Sequence, residues 1–341
     1  MAIGDGGRLG FNSRIGFGQE TTWGTLVTAT SFMEFRSETL KLEKVNEKIE
    51  SLGTGRAIAR RVQKEVNLEG TFLYDLHPVD GIALIKHALM GSVTSALAGT
   101  TDAYNHTFTT GDISGIAQKG LTFEVQPDQN TTTCFIHYGL RVNSFKISAS
   151  IGEPVKTEIS FIGKDSTTGT FATTTVAYSP VRPFLFQDGT FAYGATIGVA
   201  TSESIIAFEM MVENNLINDE TARSIGNTSL TILPPGRRMV TLNITQRFDT
   251  TSAWDRFTQN TQGAIRLTFD TGQTIGSTDS PGTTYSMIID FPTVFYNSAI
   301  PEITEAGILT HDVEITALAD TITGSGTDIL MTVVNSTSSY A

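Results

Sequence analysis

Five histidines, one cysteine and a scatter of serines are the residues of this chain that could do chemistry. Histidines hold zinc when two of them stand a helical turn apart and a carboxylate completes the set. His77 and His87 are nearly three turns apart, while His106, His137 and His311 stand alone in strand-like or turn contexts, so no metal site is expected. Ser224, Ser229 and Ser252 lack the Gly-x-Ser-x-Gly elbow that raises a hydrolase nucleophile above its sheet. Ile15-Gly16-Phe17-Gly18-Gln19-Glu20 has neither the spacing nor the lysine of a phosphate loop, and Gly53-Thr54-Gly55-Arg56 is a basic turn without a dinucleotide fingerprint. Cys134, between alternating apolar neighbours, reads as a small buried hydrophobe, and alone it can form no intrachain disulfide. Trp23 and Trp254 could be sugar platforms, but packed aromatics are the plainer reading. The residue types predict no enzyme, no cofactor and no metal.

One constellation carries a charge signal. Arg36, Lys41, Lys44, Lys48, Arg56, Arg60, Arg61 and Lys64 fall close together near the amino terminus. Residues 1–64 hold 10 basic and 7 acidic groups, whereas residues 65–341 hold 13 basic and 28 acidic. A basic segment against an acidic body suits docking between copies, because opposite potentials speed and orient encounter. Nucleic-acid binding is not expected, since a net charge of -12 opposes phosphate neutralisation and no recognition motif accompanies the cluster.

These residues must be positioned by strands. Val66, Leu68, Gly70 and Phe72 alternate with polar partners, as do Leu121, Phe123 and Val125, the run 133–151, and Val155 to Phe161. Such period-two stretches predict half-buried antiparallel strands. Further strands are expected at 204–213, 228–233, 238–248, 263–270, 284–291 and 308–318. Helix is scarce. One is predicted from Pro78 to Gly91, with Ile82, Ile85 and Leu89 at helical spacing, and a shorter one from Ser252, capped by its hydroxyl with Asp255 reciprocating. Residues 40–50 suit either a helix or a long loop ordered by a partner. The fold class is mainly β: an antiparallel sandwich or half-barrel with one or two short peripheral helices, lending strands to an oligomeric β-barrel tube.

An internal symmetry is also expected. Strand 66–72 and helix 78–90 resemble strand 240–248 and helix 252–260, and a Gly-led strand closes each half, after Gly152 and after Gly307. The halves are 1–165 and 180–341 of one domain, linked through 164–180. With 341 residues, 20 Phe and only 17% charged residues, the chain can close a substantial core. No apolar run spans a membrane and no signal-peptide core opens the sequence, so a soluble protein made in a cytosol is the expectation.

Arg14-Ile15-Gly16-Phe17-Gly18-Gln19-Glu20-Thr21-Thr22-Trp23-Gly24-Thr25, followed by Phe32-Met33-Glu34-Phe35, resembles the opening of tail tube (major tail) proteins of long-tailed bacteriophages. The likeness continues through Ile58 to Arg61, Val66 to Phe72, Leu89-Met90-Gly91, Tyr104 to Phe108, and Gly139 to Val142 with Phe145. It is strongest over 12–163. The resemblance implies hexameric rings stacked helically into a hollow tube, with a loop reaching the adjacent ring. It places that inter-ring loop at 37–64, whose basic residues named above become the contacts. It makes 1–30 an arm or adjacent-subunit contact, with Phe17 and Trp23 as contact residues. Implied partners are the chain itself, tail terminator, baseplate or distal tail, and tape measure proteins. DNA passes the lumen without specific binding, no membrane is involved, and assembly occurs in the host bacterial cytoplasm before the protein resides in the virion tail. A related virion ring protein, such as a terminator, completion ring or capsid accessory protein, and the tube subunit of a gene transfer agent are the alternatives. An acidic lumen is expected, because it would repel DNA and keep it sliding.

Overall fold

The structure, a computed structural model, describes residues 10–50, 56–58, 60–99, 102–129, 133–173, 175–276, 282–300, 308–319 and 326–340. In chain order the first strands are β1 (Arg14–Gln19), β2 (Ser31–Met33), β3 (Ser37–Glu38), β4 (Lys41–Ile49) and β5 (Arg60–Asp75). Helix α1 (Ala83–Ala88) leads to β6 (Val93–Leu97), β7 (Tyr104–Thr109), β8 (Leu121–Gln126), β9 (Thr133–Ser150), β10 (Lys156–Gly163) and β11 (Asp165–Thr170). There follow β12 (Gly189–Gly194), β13 (Thr201–Glu203), β14 (Ala207–Glu213) and β15 (Met239–Arg247). Helix α2 (Ser252–Thr258) then precedes β16 (Gly263–Thr274), β17 (Thr284–Tyr296), β18 (Thr310–Ala317) and β19 (Leu330–Asn335).

The molecule is mainly β, and every described strand pairing is antiparallel. In the first part, β1 pairs β2 and β8, β8 pairs β9, and β9 pairs β10 and β11. Strand β10 then pairs β5, which pairs β3 and β4. In the second part, β12 pairs β13 and β16, β16 pairs β17, and β17 pairs β18 and β19. Strand β18 pairs β15, which pairs β14. The two parts meet where β14 lies along β9, from Ala207 opposite Ser150 to Glu213 opposite Ser144. The β6–β7 hairpin is set against β19.

Alternation drives this arrangement. On β10, Thr157, Ile159, Phe161 and Gly163 are buried while the residues between them reach solvent. Strands β14 and β18 repeat the pattern. An apolar stripe of this period can be buried only by laying one sheet face on another layer. Phe123 on β8 is the contact point: its ring stands 4.7 Å from Phe72, 5.1 Å from Phe161 and 5.5 Å from Phe17. Strand β9 runs through both layers. At Gly139 its backbone takes φ +68° beside a register shift against β8, a conformation that glycine adopts without steric cost.

Several expectations are corrected. Residues 41–49 form a strand, neither helix nor loop, because β5 offers a continuous edge that their β-branched and alternating residues can follow. The stretch 228–233 is irregular. The linking stretch 164–180 contains β11, paired with β9. Within the stretch 1–30, expected as an arm or adjacent-subunit contact, residues 14–19 form β1, which pairs with β2 and β8 of its own subunit. Helix α1 begins at Ala83, preceded by turns, and α2 has Thr251, not Ser252, at its N-cap, where the Thr251 hydroxyl donates to Asp255. Strands β12, β13, β6 and β19 had no period-two signal strong enough to mark them. Residues 1–9, 51–55 and 59, and Gly307, expected to lead a strand, lie outside the described residues.

Phe123→Ala should destabilise the subunit by about 3–5 kcal/mol, as removal of a fully buried ring leaves a cavity at the meeting of the layers. Urea denaturation followed by fluorescence would measure it.

Candidate assembly surfaces

The N-terminal segment is tied down by buried carboxylates. Glu20 is fully buried and accepts from the Gly139 amide at 2.7 Å, the Gly24 amide at 2.6 Å and the Thr122 hydroxyl at 2.9 Å. Burial raises its pKa, which those donors and the Arg141 charge partly offset. Glu124 accepts from the amides of Ala29 and Ala172 at 2.9 and 2.7 Å, stitching the same segment to the chain beyond β11. Trp23 donates its indole N–H to the Gly139 carbonyl at 2.8 Å and lies 5.5 Å from both Arg141 and Lys164. These are cation–π distances. Phe17, 4% exposed, is a core residue. The structure uses Phe17 in the core of its own subunit and binds the Trp23 indole to Gly139, where the resemblance implied contacts with an adjacent subunit.

The basic cluster lies mostly on one feature, the β4–β5 hairpin. Strand β5 is bound by β10 only from Leu68 onward; before that its ladder partner is β4, with Val66 also donating to the Thr228 carbonyl at 2.9 Å and Glu65 paired with Arg223 at 3.2 Å. Residues 60–64 are all exposed, and Ile49, Ile58 and Val62 expose apolar surface there. Past a bulge between Val45 and Asn46, Lys48 stands directly opposite Arg61, and Ile49 opposite Arg60. Like charges facing across a ladder destabilise it, and a two-stranded hairpin alone is marginal in water. Arg36 and Lys64 are already committed, to Asp75 at 2.6 Å and Glu47 at 3.2 Å. For Lys41, Lys44, Lys48, Arg56, Arg60 and Arg61, no ion pair with a described residue is formed within 4.0 Å.

The second feature is a polar face running across β5, β10, β9, β14, β15 and β18. One cross-strand row reads Leu73, Glu158, Lys146, Met211, Thr241 and Thr316. The neighbouring row reads Asp75, Lys156, Ser148, Glu209, Asn243 and Glu314. Lys146 sits between Glu158 at 3.7 Å and Glu209 at 3.2 Å. With Glu213 and Asp312 also on this face, acids outnumber bases. Sequence reasoning found these strands individually but not their order, which depends on non-local pairing.

The histidines are scattered through the interior. His106 contacts Ser95 at 2.8 Å and Asn335 at 3.0 Å; His77 accepts at Nδ1 from the Val79 and Asp80 amides; His311 contacts Gln246 at 3.0 Å. Burial pushes His87 down to about 3 and His137 down to about 4. Cys134 is buried, its thiol pushed up to about 11 by burial and by Glu124. Among the described residues, no group of three His, Cys, Asp or Glu could hold a metal ion, and no helix is long and apolar enough to cross a membrane.

A family model described as phage tail tube protein matches residues 10–317. No curated protein matches the chain.

Two outcomes are expected. Glu20→Gln should cost about 1–3 kcal/mol by turning an acceptor toward amides into a donor, and should raise hydrogen exchange in 14–24. For His87, the folded ring stays neutral while the unfolded ring takes up a proton below about 6.5. The unfolded state then binds more protons between pH 6.5 and 3, so stability drops as pH falls, by up to about 1.4 kcal/mol per pH unit from this ring. His87→Gln should flatten that slope in denaturant titrations at stepped pH, and the difference between the two proteins isolates this ring.

Proposed function

The chain belongs to the phage tail tube protein family, and from that premise we propose that it polymerises as stacked hexameric rings into the tail tube through which DNA is ejected. It is a structural subunit of the virion tail. The observation that carries the finer reading is the far part of the β4–β5 hairpin, where residues 47–50 and 60–64 are exposed, with opposed cations and apolar residues. A hairpin of this kind needs a covering surface, and an acidic neighbour of the same kind supplies one. Burial of Ile49 and Val62 would contribute the apolar part, at about 25 cal/mol for each Å² removed from water. Facing carboxylates would relieve the Lys48–Arg61 repulsion.

The polar face across β5 to β18 is then the lumen lining. Its serines, threonines and asparagines hydrate well, and its excess acid repels a polyanion. Lys146, held between two glutamates, offers DNA no free cation at that point. Non-specific grip on DNA depends on releasing counterions to lysine and arginine, and this face offers few of them. A ring closed by identical copies is a heterologous contact that returns on itself, and it hides the sheet edges each copy leaves open. The terminator, the distal tail or baseplate and the tape measure are the partners this role implies, with assembly in the host bacterial cytoplasm.

Arg60→Glu with Arg61→Glu should abolish long tubes while leaving the subunit folded, since neither side chain touches the core. Electron microscopy of assembled protein, with circular dichroism of the subunit, checks both halves of that outcome. Tubes of normal length from the double variant would refute the docking role.

A further inference from the structure

We infer that the chain carries two copies of one wall unit, joined edge to edge, and that the open edge at residues 37–43 receives a second copy of this chain by the pairing that joins the units internally. This rests on the ring reading above and deepens it.

The pairings match one for one. β1–β2, β1–β8, β8–β9, β9–β10, β9–β11, β10–β5 and the pairing of β3 and β4 with β5 recur as β12–β13, β12–β16, β16–β17, β17–β18, β17–β19, β18–β15 and β14–β15. The chain order is the same in both sets, with a helix after β5 and after β15 and the β6–β7 hairpin inserted only in the first. Independent invention of the same order and pairing in both halves is far less economical than repetition.

The register fixes the correspondence to single residues. Leu68 opposite Gly163 matches Val240 opposite Ala317. On that alignment Leu73 corresponds to Thr245, whose partners are Ser37 and Ala207, and Asn67 to Met239, whose partners are Glu43 and Glu213. Residues 37–43 therefore stand where 207–213 stand. Leu40 and Leu42 take the places of Met210 and Val212 and pack against the same core.

The difference lies on the outer edge. Residues 207–213 have β15 on one side and β9 on the other. Residues 37–43 have β5 on one side, and no described strand on the other. The Leu40 amide on this edge is met by the Glu38 carboxylate, and a strand edge with no partner strand is a template for another strand. The surface that fits it is shown inside the chain: the end of a unit, presented at the junction by β9. A neighbouring copy presents the corresponding stretch that follows β17, beginning at Ser298, Ala299 and Ile300.

The wall then contains twice as many units as chains, so the sixfold ring proposed above is narrowed to six wall units supplied by three chains. Only the first unit of each pair bears the long hairpin, because β14 stops at Glu213 and β15 starts at Met239 without extending the ladder. Cryo-electron microscopy of polymerised protein, with native mass spectrometry of isolated rings, tests this. The expected result is two wall units for every chain counted by mass, with hairpin arms on alternate units. Rings with one wall unit and one arm per chain would overturn the inference and leave the tube reading standing. Failure to form any ring or tube would overturn both.

Discussion

Every β-strand has two edges, and each edge carries backbone donors and acceptors that lose free energy if buried without partners. Most of this molecule follows from that constraint. Strand β9 meets it by serving both layers, with Gly139 absorbing the turn of the backbone between them. The N-terminal segment meets it partly through carboxylates, since Glu20 accepts from the amides of Gly24 and Gly139 and Glu124 from those of Ala29 and Ala172. Edges left over, on β4 and at residues 37–43, are where the chain remains incomplete by itself.

Charge follows the same division. Cations that are needed for the fold are paired close to the body, as Arg36 is to Asp75 and Arg238 is to Asp328. The hairpin keeps several cations without such partners, which is a poor arrangement for an isolated subunit and a suitable one for a docked subunit. The acid-leaning sheet face is solvated, so its carboxylates cost little in the free chain.

Much of the fold was legible because alternation is a local property. The runs at 66–72, 121–125, 133–151 and 155–161 each declared a strand and its inward side, and the structure puts Phe72, Phe123, Phe145 and Phe161 in the core. Residues 40–50 resisted, because Leu42, Val45, Ile49 and Leu52 also satisfy helical spacing; the edge of β5, a distant piece of chain, decided the matter. Phe17 and Trp23 misled for a related reason. They entered as contacts through the resemblance, which treats 1–30 as one segment; Gly16 lets β1 pack closely beneath Phe32 and Ala29, a contact that no local pattern announces. The basic residues were found as a set, but their division into committed and uncommitted cations needed Asp75 and Glu47 to be brought alongside.

The irregularity between Val45 and Asn46 has a mechanical meaning. A strand with one extra residue bends and twists more readily than a regular one, and here the extra residue sits partway along the ribbon, at Lys64. Under the proposed docking of this ribbon on a neighbouring ring, such a joint would let the two rings tilt relative to one another while both anchor points stayed seated. A long appendage built in this way would absorb shear as curvature, sparing the strand ladders within each layer.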